Sequence, residues 1–120
     1  MSQILIVDDN PLIRATLKVM VEKMGHEVTG EAGNGTVALE LFARLRPEAV
    51  LLDILLPDKS GLELMDSFRE LDDSARILVI TAVEQTRVDE HAVKSGCRAV
   101  LHKPFSFEAL KSSLEKILAP

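Results

Sequence analysis

Short apolar runs rich in β-branched residues recur along this chain, and longer segments with helical spacing separate them. The four continuous runs are ILIV (4–7), AVLL (49–52), ILVI (77–80) and AVL (99–101). Unbroken hydrophobicity over so few residues is typical of strands that are covered on both faces, as in parallel sheets. HEVTGEA (26–32) alternates more and is more polar, which predicts an edge strand.

The segments between these runs have the apolar spacing of helices. The clearest stripe has apolar residues at i, i+4, i+7, i+8 and i+11, namely Ile13, Leu17, Met20, Val21 and Met24. Asn10 and Pro11 fit the N-cap and first position of that helix, and Gly25 fits its end. The sequence predicts four more helices, over 35–45, after Ser60, over 85–95 and after Ser106. The 85–95 segment has the weakest apolar stripe.

A strand followed by a helix thus occurs five times. This alternation predicts an α/β fold, a doubly wound five-stranded parallel sheet with helices on both faces and right-handed crossovers. No repeat, linker or low-complexity tract divides the chain. We therefore expect one domain over residues 1–120.

Composition narrows the class of protein. The 14 basic and 19 acidic residues give a net charge of −5, which argues against direct binding to nucleic acid. The single cysteine, Cys97, cannot form an internal disulfide, and this fits a reducing compartment. The N-terminus does not resemble a signal peptide, and no apolar stretch is long enough to span a bilayer. We expect a cytoplasmic protein without membrane contact.

Polar residues end most of the predicted strands. Asp8 and Asp9 follow the first strand, Asp53 follows the third, Thr81 follows the fourth, and Lys103 lies just beyond the fifth. Because the carboxyl ends of parallel strands share one edge of a sheet, we expect these side chains to meet there. Three neighbouring carboxylates need a cation, and hard oxygen ligands suit Mg²⁺ better than zinc.

These residue types also suit phosphoryl transfer. A carboxylate such as Asp53 can attack phosphorus and form an acyl phosphate. Lys103 can neutralise phosphoryl charge, and the Thr81 hydroxyl can donate a hydrogen bond. Positioning and charge neutralisation are the main contributions that a protein makes to this reaction.

Four motifs resemble the receiver domain of two-component response regulators. They are ILIVDDNPLIR, LLDILLPDKSGLEL, VITA and HKPF, and they extend over most of the chain in the order of the family. The resemblance implies a flavodoxin-like sheet with strand order 2-1-3-4-5.

The resemblance also implies a role for each matching residue. Asp53 matches the phosphate acceptor, and Asp8 and Asp9 match the acidic pair that binds Mg²⁺ together with Asp53. Leu55 matches the position whose backbone carbonyl is a further metal ligand. Thr81 matches the hydroxyl that turns toward the phosphoryl group, and Lys103 matches the lysine that pairs with it.

The implied function is that of a phosphorylation-dependent signalling switch. A histidine kinase or histidine phosphotransfer protein would supply the phosphoryl group, and a downstream effector or fused output domain would respond. The resemblance further implies self-catalysed phosphorylation and dephosphorylation rather than turnover as an ordinary enzyme. Dimerisation on activation stays open at this point.

Two departures from the family pattern bear on the mechanism. Val100 stands three residues before Lys103, where the family often has an aromatic ring that moves on activation. Output would then depend on backbone shifts in the loop after Thr81. Leu55 and Val83, two residues after Asp53 and Thr81, are apolar at positions that tune acyl-phosphate hydrolysis, which predicts a longer phosphorylated lifetime.

Two alternatives stay open on sequence. One is a phosphatase with an aspartyl nucleophile, of the haloacid dehalogenase type, which uses a second acid two residues after the nucleophile. Leu55 occupies that position, and there is no cap domain. The other alternative is a binding module that works without phosphorylation.

Overall fold

A computed structural model describes residues 1–83 and 85–120. Its strands and helices alternate along the chain, as β1 (Gln3–Val7), α1 (Pro11–Lys23), β2 (Glu27–Ala32), α2 (Gly35–Leu45), β3 (Ala49–Leu52), α3 (Gly61–Leu71), β4 (Arg76–Thr81), α4 (Thr86–Lys94), β5 (Ala99–His102) and α5 (Phe107–Leu118). The five predicted strands and five predicted helices are all confirmed, and the ends that the sequence predicts differ from the observed ones by at most two residues.

The five strands form one parallel sheet in the order β2-β1-β3-β4-β5. The predicted strand order is therefore confirmed, and HEVTGEA does supply an edge strand. Because every pairing is parallel, the carboxyl ends of all five strands lie along one edge.

Alternation along the buried strands produces two apolar layers. One face of the sheet packs on α1 and α5, and the other packs on α2, α3 and α4. In the second layer the rings of Phe42 and Phe68 stack with centroids 4.5 Å apart, so two of the four phenylalanines join α2 to α3. Cys97 is buried here as a small packing residue, and burial raises the pKa of its thiol.

The ends of the helices follow their sequence signals. The Asn10 side chain accepts hydrogen bonds from the first turn of α1, and Ser60 and Ser106 cap α3 and α5 in the same way. Gly25 follows α1 with φ +88°, a left-handed conformation that glycine adopts without strain. No helix of the described chain combines the length and apolar character needed to cross a bilayer.

Candidate functional site

The carboxyl edge of the sheet holds a cluster of three carboxylates. Asp8 follows β1 and is 2% exposed, Asp53 follows β3 and is 6% exposed, and Asp9 is exposed. One carboxylate oxygen from each residue lies within 4.8 Å of the other two. The structure therefore brings Asp53 together with two acids that lie 44 and 45 residues before it in the sequence. With Lys103, these residues are called the acidic pocket below.

Lys103 joins the two buried acids. Its Nζ donates to Asp8 Oδ2 over 2.6 Å and to Asp53 Oδ2 over 2.9 Å. The side chain is only 17% exposed, and this burial by itself lowers the pKa of Lys103. The hydrogen bonds and charges of Asp8 and Asp53 outweigh that effect and raise the pKa above its ordinary value. The pocket thus contains a permanent cation at neutral pH.

One backbone N–H and one side-chain ammonium orient the Asp53 carboxylate. Its Oδ1 accepts a hydrogen bond from the Leu55 N–H over 3.0 Å, and its Oδ2 accepts from Lys103. The Asp53 N–H donates to the carbonyl of Val7 on the neighbouring strand. Both carboxylate oxygens therefore have a donor, which offsets the cost of placing a charge at the end of a buried strand.

The start of α3 packs directly behind Asp53. The Gly61 N–H donates to the Ile54 carbonyl over 2.8 Å. A Cβ at Gly61 would lie 2.6 Å from the Ile54 Cα and 2.7 Å from the Asp53 carbonyl oxygen. Only glycine allows this approach of helix and strand end without displacement of backbone.

Thr81 lies at the same edge, on the strand next to β3. It is fully buried, and its Oγ1 accepts a hydrogen bond from the Val83 N–H over 3.3 Å. Its carbonyl accepts from the Lys103 N–H over 2.9 Å, so the ends of β4 and β5 are joined at the pocket. Val100 is half-buried and packs in the layer with α2, α3 and α4.

The two apolar positions near the pocket differ in exposure. The Leu55 side chain is 58% exposed, whereas Val83 is half-buried. Leu55 donates to Asp53 through its backbone N–H, and its exposed side chain fits a position where the residue type is free to vary.

Two polar arrangements have no counterpart in the sequence-based prediction. Asp58, in the loop after Asp53, accepts hydrogen bonds from Gly35 and Thr36 at the start of α2. His102 Nε2 lies 2.8 Å from Asp89 Oδ2, which links β5 to α4. Neither arrangement has a local sequence signal. Asp58 is 23 and 22 residues from its partners Gly35 and Thr36, and His102 is 13 residues from Asp89.

The donor set of the acidic pocket fits a hard divalent cation. Its three carboxylates crowd within a few ångströms, and Lys103 is the cation that the structure shows among them. Like charges at this spacing repel, and carboxylate oxygens are the ligands that Mg²⁺ prefers. Asp8, Asp9 and Asp53 are therefore the residues that could hold such an ion.

Comparison with known proteins agrees with this geometry. Residues 4–115 match the family described as the response regulator receiver domain. Chemotaxis protein CheY of Thermotoga maritima is 35% identical over 115 residues, which cover 96% of each protein.

Two solved structures have the same fold. A chain from the CheX–CheY–BeF3–Mg complex of Borrelia burgdorferi matches with a TM-score of 0.95 at 21% identity, covering 98% of this chain and 90% of that one. At that identity the likeness concerns the fold alone. A response regulator of Burkholderia pseudomallei, crystallised with a phosphorylated aspartic acid, a calcium ion and citrate, has a TM-score of 0.87 at 32% identity. That match covers 95% of this chain and 66% of the other.

Proposed function

The chain belongs to the response regulator receiver family, and we propose that Asp53 is its phosphate acceptor in a phosphorylation-dependent signalling switch. The observation that carries this proposal is the contact of Lys103 with both buried acids of the acidic pocket. The phosphorylated aspartic acid of the Burkholderia pseudomallei regulator supports an aspartyl acceptor in a relative. We further propose that residues 1–120 act as one receiver domain.

The proposed reaction is a transfer from a phosphohistidine of a kinase or phosphotransfer protein. An Asp53 carboxylate oxygen attacks the phosphorus, the phosphorus–nitrogen bond breaks, and its electron pair returns to the imidazole of the donor. Lys103 neutralises charge on the phosphoryl oxygens, and the Thr81 hydroxyl donates to one of them after releasing its contact with Val83.

Asp8, Asp9 and Asp53, with the Leu55 carbonyl, are the proposed Mg²⁺ ligands. When bound, the ion would supply positive charge to the phosphoryl oxygens. The protein's own contribution is to hold the acceptor carboxylate in one orientation through the Leu55 N–H and Lys103.

The proposed partners are a kinase or phosphotransfer protein and a downstream effector or output domain, in the cytoplasm. Because Val100 replaces an aromatic ring, we propose that the loop after Thr81 carries the response through its backbone. Glu84 of that loop lies outside the described residues. A phosphoryl group on Asp53 would favour one conformation of the domain by its contacts there.

Intact-mass measurement after incubation with acetyl phosphate and Mg²⁺ tests the acceptor assignment. We expect the parent to gain the mass of one phosphoryl group, and we expect Asp53→Asn, which keeps the shape of the side chain, to gain none. Chelation of Mg²⁺ with EDTA should also abolish the gain. Labelling of Asp53→Asn to the extent of the parent would contradict the assignment.

The same experiment separates the alternatives. Repeated turnover of p-nitrophenyl phosphate would favour the aspartyl phosphatase, whereas labelling that stops at one phosphoryl group favours the switch. A parent that is never labelled would favour a phosphate-independent binding module. The receiver-family match supports the switch over both.

We also propose slow self-catalysed dephosphorylation, because the side chains two residues after Asp53 and Thr81 are apolar and cannot orient an attacking water. Replacing Leu55 by Asn places an amide at an exposed position beside the pocket. We expect Leu55→Asn to lose its label faster than the parent in a time course after removal of the donor. A time course no faster than that of the parent would contradict this idea.

A further inference from the structure

The loop from residue 55 to residue 60, between Asp53 and α3, is fastened to α2 through Asp58. Its Oδ1 accepts from the Gly35 N–H over 2.7 Å. Its Oδ2 accepts from the Thr36 N–H over 2.9 Å and from the Thr36 hydroxyl over 2.8 Å. Three donors on α2 therefore converge on one carboxylate of the loop.

These contacts complete the N-terminus of α2. The first N–H groups of a helix lack partners within the helix and need acceptors from elsewhere. Asn34 accepts from the Val37 N–H as the ordinary N-cap, and Asp58 accepts from the two preceding N–H groups. The carboxylate also faces the positive end of the helix dipole. The loop is thus held by the N–H groups and the dipole at the start of α2.

The loop packs closely on α2 beside these hydrogen bonds. The side-chain stem of Lys59 lies over Gly35, and a Cβ at Gly35 would collide with it. The tip of the loop is therefore positioned by packing as well as by hydrogen bonds.

The other end of the loop reaches the acceptor directly. The Leu55 N–H donates to Asp53 Oδ1, and Leu55 forms a β-bridge with Ser60. Ser60 in turn caps α3 by accepting from the Leu62 N–H. Hence the position of the Leu55 backbone depends on the loop that Asp58 fastens, and the orientation of the Asp53 carboxylate depends on the Leu55 backbone.

We propose that Asp58 is a positioning residue for phosphoryl transfer, which holds the 55–60 loop on α2 so that the Leu55 backbone orients Asp53. This proposal rests on the proposed function of Asp53. Among the described residues, the hydrogen bonds of the Asp58 carboxylate go to α2 and not to the pocket, so it acts through the loop.

The ionisation of Asp58 fits this role. The hydrogen bond from the Gly35 N–H, with those from Thr36, lowers the pKa of the Asp58 carboxyl to about 2. The carboxylate is therefore charged, and able to accept from all three donors, throughout the neutral range.

Phosphorylation by acetyl phosphate in saturating Mg²⁺ tests the proposal with the full chain. We expect Asp58→Ala to slow phosphorylation by about tenfold, because the acceptor loses part of its fixed orientation. Asp58→Asn, which keeps one acceptor oxygen, should be intermediate. Thr36→Ala, which removes only the hydroxyl donor, should have a smaller effect in the same direction.

Asp72→Ala is the matched control. Asp72 is a partly exposed acid whose carboxylate, like that of Asp58, accepts from a backbone N–H and a hydroxyl, here both of Ser74, and whose pKa is lowered by those bonds. It lies after α3 and before β4, at the opposite edge of the sheet. We expect its removal to leave the phosphorylation rate unchanged while costing comparable thermal stability.

Amide hydrogen exchange at Leu55 gives a readout that is independent of phosphorylation. We expect Asp58→Ala to accelerate exchange of the Leu55 N–H without accelerating exchange in β3, while Asp72→Ala does neither. Parent-like phosphorylation and Leu55 exchange in folded Asp58→Ala would overturn the proposal. If Asp58→Ala fails to fold, parent-like values in Asp58→Asn and Thr36→Ala would overturn it. A parent that is not labelled would instead refute the proposed function.

Discussion

The two sides of the acidic pocket are built differently. On the α3 side, α3 buries Gly61, Leu64, Met65 and Phe68. On the α4 side, α4 is a nine-residue helix in which, among the described residues, Ala92 alone is fully buried. Apolar burial is the main source of helix attachment, so α3 is attached to the sheet far more strongly than α4.

The hydrogen bonds at the ends of the two helices differ in the same direction. Ser60 caps α3, whereas the Gln85 side chain makes no capping bond to α4 within the described chain. A side-chain hydrogen bond between Asp89 and His102 joins α4 to β5. In the described part of the chain, Asp89 Oδ1 and His102 Nδ1 are buried atoms without a partner, so even this link is incompletely satisfied.

The difference shows where the domain can change shape at low cost. A segment with few buried apolar contacts opens with a small free energy, while a well-packed one opens only with the whole domain. His102 directly precedes Lys103, which contacts Asp8 and Asp53. We therefore expect a rearrangement at the pocket to displace α4 more readily than α3 and the 55–60 loop.

The largest expected effect comes from core truncation on each side. We expect Phe68→Ala to lower the free energy of unfolding by about 3–5 kcal/mol, because it removes a ring stacked on Phe42 in a fully buried site. Val88→Ala in α4, where the side chain is only partly buried, should cost about 1 kcal/mol. Urea unfolding measures the free energy of unfolding of both variants. Equal losses of stability would contradict the stronger attachment of α3.

A smaller effect is expected from the link between α4 and β5. Asp89→Ala removes the hydrogen bond to His102 and should cost about 0.5–1.5 kcal/mol. We expect amide exchange in α4 to accelerate while exchange in α3 stays as in the parent. Glu90→Ala, at the exposed neighbouring position, is the control and should change neither. If amide exchange accelerated equally in α3 and α4, the two sides of the pocket would not open independently, and the comparison would be contradicted.

The smallest expected effect is the pH dependence of the stability that Asp58 contributes on the α3 side. Because the pKa of Asp58 falls from 3.8 to about 2 on folding, its ionised form stabilises the folded state above the higher value. That contribution is lost as the pH falls through about 2. The stability difference between the parent and Asp58→Asn should be constant near neutral pH and shrink between these two values. Thermal unfolding of both proteins across the acid range measures this stability difference. A difference that already vanishes at neutral pH would contradict the lowered pKa of Asp58.

Much of the fold was predictable because its signals are local. Continuous apolar runs mark strands covered on both faces, and the caps at Asn10, Ser60 and Ser106 mark helix starts within one residue. The cluster of Asp8, Asp9 and Asp53 was also predictable, since parallel strands place their carboxyl ends at one edge. The strand order came from family resemblance, because spacing alone does not choose among sheet orders.

By itself the sequence determined which residues are candidates for the chemistry of this protein and at which strand ends they lie. Only the tertiary structure decided how they are held: Lys103 between Asp8 and Asp53, Asp58 on the start of α2, and His102 against Asp89. The physical reason is the separation along the chain of the groups that interact. Periodicity and capping act over one or two helical turns, whereas these hydrogen bonds join groups 13 to 95 residues apart. Their geometry exists only once the sheet and both helical layers are packed.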